Sequence, residues 1–554
     1  MQLFSSEPKS HHEVIRSLES RYDTLISSGL KRPYVYPGAS LGALLVIVYL
    51  CIDHRRRPWL QRSRFLVWGV MAVISGSSIY HCRARNPAAA FGVGLINCWA
   101  TLWCAVMLVS NDAQREFQRI ERKETPSGKQ ALDATDPTNG SANGVQVDGV
   151  QNGEFRNRKT VPASMSDPGS TLGPRDRKGT LTWQSYPAGP FIERLDWICD
   201  LFGSFRGMGW SFRIAGLPPP PESVQHDLSM NTGQAPYEGD THVGRSGNHR
   251  YHTRREILRY NGFLLVRNYL ILDLLKTLIV NDPYFWTGSY TQRPRYLPAW
   301  LDAYPVIDQS SRLLISLAAV YYSLETIFSL GPLFFVGILG PRYIGVRGEP
   351  WIYSDQFGSF SAVLDKGLAG WWGGWWHQTF RFGFESPSTR LLALLGWHDR
   401  KSPAAKLLQL CVAFALSGCV HACGSYTQLG DTQPLKGPFL FFVLQVVGIS
   451  AQLALTAFLN KLGIASRTPK WLSRMANFVY VHVWLYHTAP LLVDDFARGG
   501  VWLYEPLPFS PLRGLGFGAD EDGWFPLSAG NAGGVRDIFR WHRGSTWWNS
   551  GVAL

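Results

Sequence analysis

The sequence has few cysteines for its length, and they lack the paired spacing of a disulfide framework. The eight cysteines among 554 residues lie mostly in or beside apolar runs, which indicates small packing residues. A metal site could be considered at Cys419, His421 and Cys423. Residues two apart on a helix face different directions, however, and chelate a metal ion poorly. We therefore expect no bound metal and no bound cofactor.

The sequence shows neither a cleavable signal peptide nor an internal repeat. The first 35 residues are polar and charged, and the first apolar run follows them, which predicts a retained signal anchor. The net charge of +13 is spread over loops beside apolar runs, which indicates a lipid bilayer as partner and no nucleic acid. The 22 tryptophans fit membrane–water boundaries, where one end of the ring is apolar and the other polar.

Long apolar segments are what the chain has in abundance. A bilayer core needs about 20 apolar residues in a helix. Eight segments approach that length: 37–52, 65–80, 88–110, 262–280, 313–340, 404–425, 439–459 and 475–493. Arginine and lysine are concentrated after the first, third, fifth and seventh segments, which predicts cytosolic loops there and lumenal termini. The expected fold class is all-α, a polytopic integral membrane protein with about eight transmembrane helices.

Composition divides the chain into five parts. The stretch after the third apolar segment is rich in Gly, Asn, Asp and Ser and has too few large apolar residues to offset its chain entropy. The parts are an N-terminal polar segment (1–36), three transmembrane helices (37–110), a flexible polar linker (111–182), a membrane core with interfacial helices (183–497) and a C-terminal tail (498–554).

The sixth apolar segment carries a polar stripe. Helical spacing puts four polar residues on one face: Ser417, His421, Ser425 and Gln428. Lipid cannot solvate such a stripe, so it must meet a cavity or a polar partner. A neutral imidazole is available near pH 7 to accept a proton. Asn477 and His482 on the eighth segment could face the same cavity, and structural bonding between helices remains open for both of them and for His421.

A second motif, "GWWGGWWHQTFRFGFES", lies between the fifth and sixth segments. Helical spacing predicts one continuous aromatic face from four tryptophans: Trp371, Trp372, Trp375 and Trp376. His377, Gln378 and Arg381 flank that face. The residues alone leave two interpretations open, an interfacial aromatic belt and part of an active site.

Together the two motifs resemble the wax-synthase-like branch of the membrane-bound O-acyltransferases, as found in fungi. That branch shows a tryptophan-rich "FWxxxWHQ" segment and then a helix with a buried histidine. The first part is matched here by Trp371 or Trp372 together with Trp376, His377 and Gln378. "SGCVHACG", with Ser417 and His421, matches the second part. "RGMGWSF" (206–212) resembles an upstream element of fungal members, and the likeness runs from about residue 196 to 497.

The resemblance implies a helical enzyme with a reaction chamber inside the membrane, which moves an acyl group from coenzyme A to a hydroxyl of an apolar acceptor. It implies that His421 is the catalytic base, with His377 as its partner. The residues expected to bind the acceptor and acyl group are Trp376, Gln378, Ser417, Ser425 and Asn477. Those expected to attract the anionic coenzyme A are Arg381, Arg390, Arg400 and Lys401.

The preferred substrates are acetyl-CoA or another short acyl-CoA and a terpenoid, meroterpenoid or polyketide alcohol. A wax ester or sterol ester synthase with long acyl chains is the alternative within the same chemistry. A membrane transporter, whose polar stripe lines a permeation path, is the alternative of another class. The expected location is the endoplasmic reticulum membrane.

Overall fold

The computed structural model describes residues 8–123, 180–232, 238–298, 300, 304–397, 399–527 and 539–554. This part of the chain is mostly helical. Its α-helices are α1 (His11–Ser27), α2 (Leu41–Cys51), α3 (Pro58–Arg62), α4 (Arg64–His81), α5 (Pro87–Ala105), α6 (Ala113–Glu116), α7 (Phe191–Gly203), α8 (Glu222–Thr232), α9 (Arg254–Val280), α10 (Tyr284–Thr287), α11 (Pro305–Pro332), α12 (Pro341–Ile344), α13 (Ser361–Gly370), α14 (Arg381–Leu394), α15 (Pro403–Thr427), α16 (Leu440–Lys461), α17 (Ile464–Arg467), α18 (Lys470–Thr488) and α19 (Pro490–Gly499).

Short strands fasten distant parts of the chain to one another. They are β1 (Arg32–Pro33), β2 (Val35–Tyr36), β3 (Cys82–Arg83), β4 (Gln118–Lys123), β5 (Thr180–Ser185), β6 (Arg540–His542) and β7 (Gly551–Ala553). β1 pairs in parallel with β3, and β2, β7 and β6 form a small antiparallel sheet that joins the N-terminal and C-terminal segments.

Each of the eight predicted apolar segments falls on a helix, namely α2, α4, α5, α9, α11, α15, α16 or α18. Within the described residues, four helices are long and apolar enough to cross a membrane: Pro87–Ser110, Pro305–Leu339, Pro403–Thr427 and Leu435–Lys461. Large apolar side chains stay exposed on other helices too, such as Val73 on α4 at 72% and Phe263 on α9 at 63%. Such contiguous apolar surface fits contact with lipid.

Helices α5 and α15 pack at the closest backbone approach that small residues permit. A Cβ on Gly94 would lie 1.8 Å from the carbonyl oxygen of Cys423, so glycine is required there. The Thr427 hydroxyl accepts a hydrogen bond from the Gly94 N–H at 3.0 Å and donates to the Ala90 carbonyl at 2.7 Å. Small residues and a shared hydroxyl are the usual means of joining helices in lipid, and they fix one side of α15.

Both ends of the predicted polar linker are folded. β4 and β5 pair antiparallel from Gln118 opposite Ser185 to Lys123 opposite Thr180. Arg119 is buried in β4 and forms ion pairs with Asp196 and Asp200 of α7, which explains why this stretch is ordered. The linker predicted for 111–182 is therefore too long at both ends, and residues 124–179 lie outside the described part.

A buried ion pair ties α11 to the turn after α9. The Arg312 guanidinium donates two hydrogen bonds to Asp282, both at 2.9 Å, and the two side chains are 1% and 0% exposed. Arg312 also donates to the carbonyl of Gln292, and the Tyr296 hydroxyl donates to Asp282. This arrangement holds α11, which forms one wall of the cavity described below.

Removing one partner of this pair should destabilise the fold strongly. Asp282→Ala removes two hydrogen bonds from a buried guanidinium and leaves it with the more exposed Asp308 and the Gln292 carbonyl. Loss of one partner of a buried ion pair typically costs about 3–5 kcal/mol. The measurement is the thermal unfolding midpoint of the purified protein in detergent. Asp365→Ala, which removes an exposed partner of Arg474, is the matched control and should change the midpoint little. Equal, small effects of both substitutions would contradict the structural role assigned to the buried pair.

Candidate active site

The tryptophan-rich motif does not continue as an α-helix. α13 is kinked at Gly367, where φ is +58° and a Cβ would lie 1.8 Å from the side-chain amide of Gln452. A π-helical turn, Trp371–Trp375, follows, and Trp376 is already extended. The four tryptophans therefore do not lie on one regular α-helical face. Trp375 packs on Trp371 and also on the rings of Tyr321, Phe357 and Phe360, whereas the other three line the cavity described below. The break in the helix lets the next residue, His377, point into the interior.

Gln378 fastens this turn. Its amide nitrogen donates to the carbonyl oxygens of Trp372 at 2.9 Å and Trp376 at 2.6 Å. Its amide oxygen accepts a hydrogen bond from Arg381 at 3.2 Å. Gln378 was expected to bind substrate. Its amide instead forms hydrogen bonds that hold the loop carrying His377.

His377 is enclosed by aromatic rings. Its ring lies 5.9 Å from Phe328, 5.9 Å from Phe357 and 5.7 Å from Phe380, measured between centroids. Its Nδ1 atom is buried without a hydrogen-bond partner among the described residues. Burial lowers the pKa of His377 to about 3, and repulsion from His421 and Arg206 adds to the shift. This imidazole is therefore neutral at physiological pH.

His421 has a defined tautomer. Its Nδ1 atom lies 2.9 Å from the carbonyl oxygen of Ser417, one turn earlier on α15. A carbonyl oxygen can only accept, so Nδ1 carries the proton and Nε2 has a free lone pair. The ring packs on Phe442 of α16, 4.4 Å away, and no group of the described residues hydrogen-bonds to Nε2. The basic nitrogen of His421 is thus available to a ligand.

Both histidines line one internal cavity of about 590 Å³. Its walls are mainly apolar and aromatic side chains of α11, α15, α16, α18 and the motif between α13 and α14. Six residues singled out from the sequence are brought together there: Trp376, His377, Gln378, Arg381, Ser417 and His421. Volume and lining both fall in the range of small-molecule sites.

The other predicted site residues lie elsewhere. Ser425 is fully buried one turn beyond His421 and is not part of the cavity wall. Asn477 accepts a hydrogen bond from Gln452 and donates to the Leu364 carbonyl, so it joins α18 to α16 and α13. The three remaining basic residues are exposed on α14 and the turn before α15, away from the cavity wall: Arg390, Arg400 and Lys401.

Other polar residues of the cavity wall include His482, which the sequence placed on a segment that could face this cavity, and Ser316, which it did not single out. His482 of α18 donates from Nδ1 to the Phe478 carbonyl at 2.7 Å, which repeats the geometry of His421 and leaves Nε2 free. Ser316 of α11 has a buried hydroxyl without a partner among the described residues. The polar residues of the eighth segment were the signal for His482, whereas a single serine in an apolar helix carries none.

The described residues also line a second cavity, of about 890 Å³. It is more polar, and charged side chains such as Arg119, Arg206, Glu325 and Arg347 contribute to its wall. Phe380 lines both cavities. His377 lines the apolar cavity and packs on two rings of the polar one, Phe328 and Phe357. His377 therefore stands at the boundary between a polar and an apolar space.

The fold and the site together define a helical membrane protein with a histidine-lined internal chamber. Residues 353–444, which hold His377 and His421, match the model of the membrane bound O-acyl transferase family. No solved structure gives a significant match.

Curated relatives are fungal enzymes. Acetyltransferase ataH of Aspergillus terreus is 25% identical over 45% of this chain and 82% of its own length. Acetyltransferase ple2 of Rhodocybe pseudopiperita is 25% identical over 54% of this chain and 66% of its own. O-Mevalon transferase macI of Penicillium terrestre is 27% identical over 47% of this chain and 53% of its own length. The aligned part thus spans less than two thirds of the length of ple2 and of macI. These matches confirm the predicted resemblance and support an O-acyltransferase, not a transporter.

The neutral state of buried His377 predicts acid sensitivity. An unfolded histidine takes up its proton near pH 6.5, so below that pH the unfolded state binds more protons than the native state. Stability is complete above pH 6.5 and falls as the pH drops toward the folded pKa, by about 2 kcal/mol at pH 5 for this group. His377→Gln should remove that part of the loss, measured as unfolding midpoints between pH 7 and pH 5.

Phe380→Leu, which alters a ring packed on His377, is the matched control. It should lower the midpoint by a similar amount at each pH, because it removes apolar contact and no titrating group. Identical pH slopes for wild type and His377→Gln would show that the native ring takes up a proton as readily as the unfolded one.

Proposed function

We propose that the protein transfers an acetyl or short acyl group from coenzyme A to a hydroxyl of a hydrophobic secondary metabolite, with His421 as general base. The observation that supports this most is the free Nε2 of His421 in an apolar cavity shared with His377. Enzymes of the matched family use acyl-CoA as co-substrate. We further propose about eight transmembrane helices and a location in the endoplasmic reticulum membrane.

His421 has the geometry that alcohol activation requires. An alcohol is a weak nucleophile, so a base must take its proton as the new C–O bond forms at the thioester carbon. Nε2 of His421 would accept that proton, while Nδ1 keeps its hydrogen bond to Ser417 and holds the ring in place. The tetrahedral intermediate then collapses, the C–S bond breaks, and the coenzyme A thiolate leaves and takes up a proton.

His377 is suited to the acyl side of the reaction. As a neutral imidazole it has one N–H, which can donate to the thioester oxygen as negative charge develops there. Its position at the boundary of the two cavities supports this role, because the thioester must lie where a polar donor and an apolar acceptor meet. Gln378 would act indirectly, by holding the loop that positions His377.

The polar cavity offers a route for the coenzyme A part of the donor. It contains arginine side chains, and Phe380 is a wall residue of both cavities. Arg381, the next residue in the chain, lines the apolar cavity. The exposed residues Arg390, Arg400 and Lys401 would then contribute to long-range attraction of the anionic donor and not to contacts in the chamber.

The lining supports an apolar acceptor and direct transfer. Tryptophan, phenylalanine and leucine side chains cover most of the chamber, so binding there keeps the apolar surface of a lipophilic alcohol out of water. Such an alcohol would reach the chamber through the bilayer. Cys419 and Cys423, the thiols nearest to His421 in the chain, do not line the cavity. The absence of a cysteine among the described residues of the cavity wall supports direct attack of the alcohol on the thioester, without a cysteine acyl-enzyme.

Replacement of the base should abolish transfer. In microsomes, His421→Ala should reach the wild-type protein level and lose at least about 100-fold in rate, because general bases contribute about 10² to 10⁴-fold. His377→Ala should also lower the rate strongly. His487→Ala, an exposed histidine of α18 outside the cavity, is the matched control and should keep wild-type turnover. Near-normal transfer by His421→Ala would refute the assignment.

The length of the acyl group can be tested separately. Microsomes are incubated with labelled acetyl-CoA or labelled palmitoyl-CoA and a lipophilic extract of the host, and the esters are separated by mass spectrometry. Acetyl transfer that depends on His421 is the expected result, since two of the relatives described above are named acetyltransferases. Transfer of palmitoyl alone would favour the wax ester or sterol ester alternative.

A further inference from the structure

A cluster of two histidines and an aspartate lies at the junction of the N-terminal helix and the C-terminal segment. Nε2 of His12 is 3.1 Å from Oδ1 of Asp522, and Nε2 of His11 is 3.5 Å from the same oxygen. One ligand atom of each residue lies within 4.8 Å of the others. The side chains of His11, His12 and Asp522 are 5%, 9% and 3% exposed, respectively. This cluster is separate from the acyltransferase cavity, whose wall contains none of the three residues.

The local structure orients all three groups. Ser10 caps α1 by accepting from the Glu13 N–H, so His11 and His12 occupy the first turn of the helix. Their rings pack on each other with centroids 3.9 Å apart. The second carboxylate oxygen of Asp522 accepts the Ala519 N–H at 2.9 Å, which fixes the direction of Oδ1. Metal sites have such outer hydrogen bonds, which orient their ligands.

The cluster also contains an orphaned polar atom. Nδ1 of His11 is buried without a partner in the described part of the chain. The fold therefore brings two imidazoles and a carboxylate to one buried point although an unpaired buried nitrogen costs free energy.

We propose that His11, His12 and Asp522 bind a zinc ion, with water in the fourth position. Zinc prefers tetrahedral sites with imidazole nitrogen and carboxylate oxygen at about 2.0–2.1 Å, which places neighbouring ligand atoms about 3.3 Å apart. The observed separations of 3.1 and 3.5 Å bracket that value. The third separation, between the ligand atoms of the two rings, is within 4.8 Å, so all three ligand atoms converge on one point.

The carboxylate is essential to this site. Burial lowers the pKa of His11, and the ammonium of Lys276 makes a small contribution in the same direction. Lys276 donates to the carbonyl oxygens of Trp502 and Tyr504, which keeps it in the same region. The anionic ligand Asp522 is what makes a divalent cation acceptable beside it. A bound ion would link α1 to the segment that follows α19 and would stabilise the folded chain by mass action.

The first test is metal content. Full-length wild-type protein is purified in detergent, dialysed against buffer without added metal, and analysed for zinc by mass spectrometry. We expect about one zinc per chain, and we expect Asp522→Asn to hold less than about a tenth of that. Asp520→Asn, an exposed carboxylate two residues away, is the matched control and should keep the wild-type content.

A second measurement does not depend on a variant that folds. Wild-type protein is stripped with a chelator and titrated with Zn²⁺ or with Co²⁺. Zn²⁺ should raise the unfolding midpoint, and Co²⁺ should give the intense visible absorption of a tetrahedral site, saturating at about one ion per chain. Wild-type protein without zinc after purification, without a Zn²⁺-dependent midpoint and without that absorption would overturn the proposal.

Discussion

An imidazole inside an apolar helix bundle has to satisfy its nitrogen atoms without bulk water, and the chamber depends on how His421 does so. One nitrogen donates to the carbonyl of Ser417 on the same helix. That bond fixes the tautomer and the ring orientation and leaves the other nitrogen as a base. Because the remaining neighbours are aromatic and aliphatic, the free lone pair faces a cavity in which a hydroxyl group is the natural partner.

The packing on the opposite side of α15 makes this possible. Gly94 and Thr427 let α5 approach the helix backbone closely, and Gly424 receives the ring of Phe91. With one face fixed by backbone contact, the other face can border a cavity without collapse of the helix pair. The rigidity of the base and the size of the chamber therefore have the same origin, a close contact between two apolar helices.

The second histidine is placed by an interruption of helical structure. The kink at Gly367 and the π-helical turn Trp371–Trp375 redirect the chain, and Gln378 closes the turn through two carbonyl oxygens. His377 consequently lies between a polar and an apolar cavity instead of on a lipid-facing surface. An aromatic belt at the membrane interface, left open by the sequence, does not describe these tryptophans, since three of them line the apolar cavity.

The sequence by itself determined where the apolar helices lie, that an imidazole is embedded in one of them, and which family the two motifs resemble. These properties follow from local composition and helical spacing, so each can be read from a single segment of the sequence. It did not determine which polar residues meet. Ser417 and His421 face the chamber while Ser425 is buried elsewhere, although all three share one predicted stripe, because neighbouring helices cover only part of that face.

Asn477, expected beside His421, instead joins three helices, and His482, one turn further on, reaches the chamber. The π-helical turn likewise depends on contacts with α16 and with the loop before α13. Only the tertiary structure decided these points, because the direction of a side chain depends on helix rotation and on packing partners that are distant in the chain.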